Sequence, residues 1–96
     1  MSNAGLADAA SALEADAAGV EPNRAELISG ALALNILVDR KLANRKPVST
    51  NLQLAALGLE VQATASSYGI RTYLNEGGRR HAGKLAEAVR ELLAAR

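Results

Sequence analysis

The stretch Leu27-Ile28-Ser29-Gly30-Ala31-Leu32-Ala33-Leu34-Asn35-Ile36-Leu37-Val38 decides the fold. Nine of its twelve residues are apolar, and only Ser29, Gly30 and Asn35 interrupt them. A surface helix carries one apolar stripe and an opposite polar face, whereas a helix apolar nearly all round belongs where neighbours cover most of it. The flanks mark where this helix begins and ends. Pro22 suits a helix start, and Asn23 followed three residues later by Glu26 has the spacing of a capping box. Asp39-Arg40-Lys41 restores polarity, Arg45-Lys46 complements the negative end of the helix dipole, and Pro47 prevents continuation. The expectation is a strongly apolar central helix over about 23–45.

Working outward, residues 4–18 are good helix formers ending at Gly19, with Leu6, Ala10, Leu13 and Ala17 on one face. Two large side chains are a thin stripe, so residues 1–20 are expected as a weakly anchored helix or partly disordered arm. On the other side of Pro47, Ser49 or Thr50 can cap a helix over 51–68, with Leu52, Ala55, Ala56, Leu59 and Ala63 on one face. Residues 58–65 also alternate apolar with polar, the period of a strand; the cap and the Leu/Ala-rich first half favour helix. Tyr68 to Leu74 extends that helix or forms a short further one. Asn75-Glu76-Gly77-Gly78 reads as a turn, and a last helix over about 79–95 carries Ala82, Leu85, Val89 and Leu92 at heptad-like spacing, with Leu93 beside them. The fold class is therefore all-α, a small helical bundle of four to five helices within a single domain over 1–96.

Composition bounds the rest. The chain has 96 residues, 49% of them hydrophobic, but 21 are Ala and the aromatics are Tyr68 and Tyr73 alone. Burying an aliphatic side chain is worth about 1.5 to 3 kcal/mol and burying Ala much less, so a monomer of this composition is marginal and self-association stabilises it. The net charge of +1 gives no whole-chain attraction to nucleic acid or anionic membrane, although the distribution is uneven. Residues 1–30 set Asp8, Glu14, Asp16, Glu21 and Glu26 against Arg24, whereas residues 71–96 hold six bases against Glu76, Glu87 and Glu91. No apolar run approaches the roughly 20 residues of a membrane span, and no signal-like leader precedes one, so the expected location is the cytoplasm with no membrane partner.

Few residues carry chemistry. With no Cys and His81 as the sole His, thiol catalysis and a Cys/His metal site have no ligands to draw on, and no cofactor, metal or catalytic residue is assigned. Ser66-Ser67 and Ser49-Thr50 have no base in the same motif. Gly77-Gly78-Arg79-Arg80-His81, followed by Lys84, has the look of a Gly-rich entry to a helix that could meet an anion, but its spacing is neither that of a P-loop nor of a dinucleotide fingerprint, and a solvated turn and helix start is the preferred reading. A helix-turn-helix reading through Ala65, Gly69 and Ile70 puts Asn75 where an aliphatic residue belongs and runs at once into Gly77-Gly78. If nucleic acid or an anion were bound, Arg71, Arg79, Arg80 and Lys84 would meet the phosphates. A cofactor-free enzyme clamping an anion at a dimer would draw on Arg24, Arg40, Lys41 and Arg45. Asn35, set within the apolar helix, reads best as a buried amide that fixes register.

The favoured function is a non-enzymatic helical protein–protein interaction module, a small regulatory or adaptor protein that forms a homodimer or docks another protein. Its interface is expected at Leu27, Ala31, Leu34, Asn35, Val38, Leu85, Val89 and Leu92. The alternatives are a small DNA-binding regulator using the basic carboxyl-terminal region and a dimeric cofactor-free enzyme with an anion site.

Overall fold

The computed structural model describes residues 3–64 and 78–95, the first three of the second segment by backbone alone. Among the described residues it is an all-α bundle of four helices: α1 (Asn3–Ala17), α2 (Arg24–Ala43), α3 (Thr50–Thr64) and α4 (Gly78–Ala94). Successive helices pack on one another, and α4 returns to α1, so that α1 is gripped between α2 and α4.

Local chemistry sets the boundaries. Gly19 closes α1 in the left-handed region (φ 78°), and the Val20 N–H reaches back five residues to the Ala15 carbonyl at 2.9 Å, with Gly19 N–H on Asp16 O at 3.0 Å. At α2 the Asn23 Oδ1 accepts from the N–H groups of Ala25 (2.9 Å) and Glu26 (3.2 Å), satisfying two amides that the first helical turn leaves unpaired. The other end of α2 closes in the same way as α1, with Lys46 N–H on Lys41 O at 2.8 Å, but the left-handed position is held by Arg45 (φ 54°) rather than glycine. Ser49 caps α3, its Oγ accepting from Leu52 N–H at 3.2 Å. The strand alternative for residues 58–64 is settled as helix, and Thr64 is accommodated by donating its hydroxyl to Glu60 O at 2.8 Å. Residues 65–77, including Tyr68 to Leu74 and the Asn75–Gly77 part of the turn, lie outside the described residues.

The core is aliphatic and small. Leu6, Leu13, Leu34, Leu59 and Val89 are its largest fully enclosed side chains, and Ala9, Ala10, Ala12, Ala55, Ala56, Ala82 and Ala86 fill the space between them. Such residues form a core only if backbones approach closely, and they do. A Cβ placed on Gly30 would lie 2.5 Å from Ala9 Cα and 2.6 Å from Ala9 N, and one on Gly5 would lie 2.7 Å from Ala33 Cβ. Close packing of α1 against α2 thus depends on glycine at both crossing points.

Two expectations need revising. Helix α1 is not a weakly docked arm, since Leu6, Ala9, Ala10, Ala12 and Leu13 are all at most 1% exposed. Two large residues suffice because alanine, of little value when helices are apart, makes full contact when glycine lets them touch. Helix α2 is not covered on most sides either. Its Leu27, Ala31, Ala33, Leu34, Leu37 and Val38 are buried, but Ile28, Leu32, Ile36 and Leu42 face outward. Its packing partners are α1 and α3, and two neighbouring helices leave the side away from them uncovered.

Candidate interaction surface

Ile28, Leu32 and Ile36 follow one another at intervals of four residues. At about 100° per residue each is displaced by only about 40° from the last, so they form a slightly oblique stripe some 12 Å long. Their exposure is 49%, 62% and 36%. Val20, in the α1–α2 connection, and Leu42, in the last turn of α2, leave aliphatic surface near the two ends, and Leu54 and Leu57 are exposed on α3. A single exposed Leu needs no explanation, whereas a run along one helix face is a candidate contact surface. Polar groups border the stripe. Ser29 and Asn35 are half-buried beside it, and Arg24, Asp39 and Arg40 are exposed towards its ends.

These neighbours are occupied to different degrees. The Arg24 guanidinium donates from Nη2 to Ala63 O at 3.0 Å and from Nη1 to Gln62 O at 3.4 Å, tying the amino end of α2 to the carboxyl end of α3 and serving the negative end of that helix. Asn35 donates from Nδ2 to Ala31 O at 2.8 Å, one turn back on its own helix. One of its amide hydrogens is therefore satisfied within its own helix.

Of the residues expected at an interface, Leu27, Ala31, Leu34, Val38, Leu85 and Val89 lie in the chain's own core, and Leu92 is partly buried against it. They hold the bundle together and are not available to a partner while it is folded. In a stretch apolar nearly all round, nothing in the residue types separates the side turned to α1 and α3 from the side turned outward, and the residues expected at an interface stand on the inward side. Of the candidate anion contacts, Arg71 lies outside the described residues, and Arg79 and Arg80 stand in the first turn of α4 with side chains outside the description; Lys84 and His81 are exposed. Arg40 and Arg45 are exposed and Lys41 is half-buried.

A second surface feature is an open groove of about 500 Å³ where the end of α1 meets α4, lined mainly by Ala17, Ala18, Gly83 and Ala86. Glu14 and Arg90 bridge its wall through two hydrogen bonds, from Nη2 to Oε1 at 2.7 Å and from Nε to Oε2 at 3.3 Å. Those bonds from the guanidinium hold the Glu14 carboxyl below the usual carboxylate range. Glu87 and Glu91 also border the groove, and among the described residues no nucleophile or imidazole lines it with them. Among the described residues no group of three His, Cys, Asp or Glu side chains is placed to hold a metal ion, and no helix is long and apolar enough to cross a membrane.

Comparison with protein-family models, with curated proteins and with solved structures finds no match to this chain.

Proposed function

We propose that this protein is a non-enzymatic helical interaction module that self-associates through the outward face of α2. The observation that carries this reading is the Ile28, Leu32 and Ile36 stripe, solvent-facing on a helix whose opposite side is built into the core. Its polar margins suit an edge that stays wet when the centre is covered.

The size of the stripe sets the strength of the association. Each of the three side chains still has about half its surface to bury, worth about 1 kcal/mol apiece, so two copies gain roughly 6 kcal/mol before the cost of association. After an association cost of about 4 kcal/mol or more the stripe alone falls short of a millimolar Kd, so a dimer in that range also needs Val20, Leu42 and the polar margins to contribute. Sedimentation velocity from about 1 µM to 1 mM should show a mass average that rises with concentration. Leu32→Glu should abolish that rise while leaving the helical circular-dichroism spectrum and the melting temperature at low concentration unchanged, because Leu32 contributes little to the core. A wild-type protein that stays monomeric across the whole range would refute the proposal.

A further inference from the structure

We infer that the outward face of α4 is a second contact surface, on which two copies pair antiparallel through opposite charges. At about 100° per residue, Arg80, Lys84, Glu87 and Glu91 fall within about 60° of one another, opposite the buried Ala82, Leu85, Ala86 and Val89. Their spacing of four, three and four residues keeps them in one line along the helix. Lys84, Glu87 and Glu91 are exposed, and none of the three is in an ion pair with a described residue. Arg90, next to Glu91 in the chain, is held by Glu14. Gly83 and Ala88 flank the line and are small, and nothing lies within 4 Å of a Cβ placed on Gly83, so a second helix can come close.

The order of these charges is unfavourable for α4 by itself. Acids stabilise the amino end of a helix and bases the carboxyl end, but α4 has Arg79, Arg80 and Lys84 in its first half and Glu87 and Glu91 in its second. Arg80 with Lys84, and Glu87 with Glu91, are also like charges one turn apart, which repel. An antiparallel second copy offsets all three terms. A two-fold axis perpendicular to the helix, midway between Leu85 and Ala86, sets Lys84 level with the partner's Glu87 and Arg80 level with the partner's Glu91, and each pair occurs twice. The same axis brings no like charges level. Arg79 comes to the level of the partner's Leu92, and Arg90 to that of the partner's His81, which stands on the other side of the face. Parallel copies in register would set like against like, so the charges select the antiparallel pair. This contact is separate from the α2 stripe: α2 and α4 each pack on α1 and α3, and their outward faces look to opposite sides of the bundle.

The test starts from the Leu32→Glu protein, in which the α2 stripe no longer contributes, followed by sedimentation up to about 1 mM. Its mass average should rise with concentration at about 20 mM salt. At about 150 mM salt the association should be at least tenfold weaker, because the Debye length falls from about 20 Å to about 8 Å. Adding Lys84→Glu or Glu87→Lys to this protein sets like charges level across the axis, and each variant should be monomeric at low salt. Mixing the two variants, or placing both substitutions in one chain, restores opposite charges at each level and should return the dimer at the parent's strength or above. All three residues are exposed, so melting temperatures at low concentration should change little. A Leu32→Glu protein that stays monomeric at low salt would overturn the inference and leave the α2 contact, tested in the wild type at about 150 mM salt, standing. Dimer that survives either single reversal, or that is indifferent to salt, would move the contact to another face and overturn it. Recovery in the mixture without recovery in the doubly substituted chain would reduce the effect to attraction between oppositely charged proteins and overturn the antiparallel register.

Discussion

Replacing Gly30 by Ala puts a methyl group where α1 already is. On the present backbone the new Cβ would stand 2.5 Å from Ala9 Cα and 2.6 Å from Ala9 N, against the 3.5 to 4.0 Å or so at which carbon atoms rest. Both obstacles are backbone atoms, so no rotamer change relieves the overlap and the two helices must move apart by about 1 Å. That loosens the packing of Leu6, Ala9 and Leu13 together. Overpacking of this kind costs about 1 to 3 kcal/mol, and a clash with backbone belongs at the upper end; exchanging Gly for Ala within a helix returns about 1 kcal/mol. The net loss is about 2 kcal/mol, which for a domain of this size lowers the melting temperature by about 8 to 16 °C. Gly83→Ala is the internal control, since nothing lies within 4 Å of a Cβ there and the same propensity gain should raise the melting temperature by about 4 to 8 °C. Thermal melts followed by circular dichroism, at one low protein concentration so that association does not enter, compare the three proteins. A Gly30→Ala variant as stable as the wild type, or two variants that shift in the same direction, would refute the account of α1 as a helix seated by close backbone approach.

Arg45 occupies a left-handed conformation that costs an ordinary residue about 1 kcal/mol or more. Arg45→Gly should therefore raise the urea midpoint, and an unchanged or lower midpoint would count against strain at that cap. Asn23→Ala removes the acceptor for two amides at the start of α2 and should cost about 1 kcal/mol in denaturant unfolding, whereas Asn23→Ser or Asn23→Asp should recover most of it. The Glu14–Arg90 pair has both side chains about half exposed, so its worth is less than about 1 kcal/mol. Because the folded-state pKa of Glu14 is depressed, its contribution is present above the ordinary carboxylate range and fades as pH falls through the folded value. Glu14→Gln should be slightly less stable than the wild type at pH 7, and the difference should shrink steadily as pH falls below the ordinary carboxylate range and in about 1 M salt; a difference that does not shrink in acid would assign the loss to packing.

The helix boundaries were legible because they are written in short-range chemistry. Asn23 before an apolar run, Gly19 after one, and Pro47 beyond Arg45-Lys46 each act within about a turn of where they stand: α1 ends two residues before Gly19, α2 starts one residue after Asn23 and ends four before Pro47. The shared faces of Leu52, Ala55, Ala56 and Leu59, and of Ala82, Leu85 and Val89, likewise followed from period alone, although Leu85 and Val89 were expected at an interface and are buried in the chain's own core. What the residues could not convey was distance between helices. Residues 4–18 looked weak because alanine was valued as a small hydrophobe, and its value here comes from Gly5 and Gly30, which act across the gap between two helices. The outward face of α2 was hidden for a related reason: Leu32 and Leu34 are the same residue two positions apart, and only the placement of α1 and α3 makes one 62% exposed and the other fully enclosed.

The closure of α4 onto α1 has a consequence for how the chain comes into being. Glu14 and Arg90 are 76 positions apart, yet they face one another across the contact that holds one side of α1. During synthesis α1 leaves the ribosome first and can settle on α2 as soon as Gly30 has emerged, but the residues that cover its other side, Ala82 to Val89, follow last. At about 5 to 20 residues per second, that interval is roughly 3 to 12 s. Throughout it Leu6 and Leu13 lack part of their final enclosure, so the small side chains that let α1 fit so closely also limit how much apolar surface the nascent chain exposes while it waits.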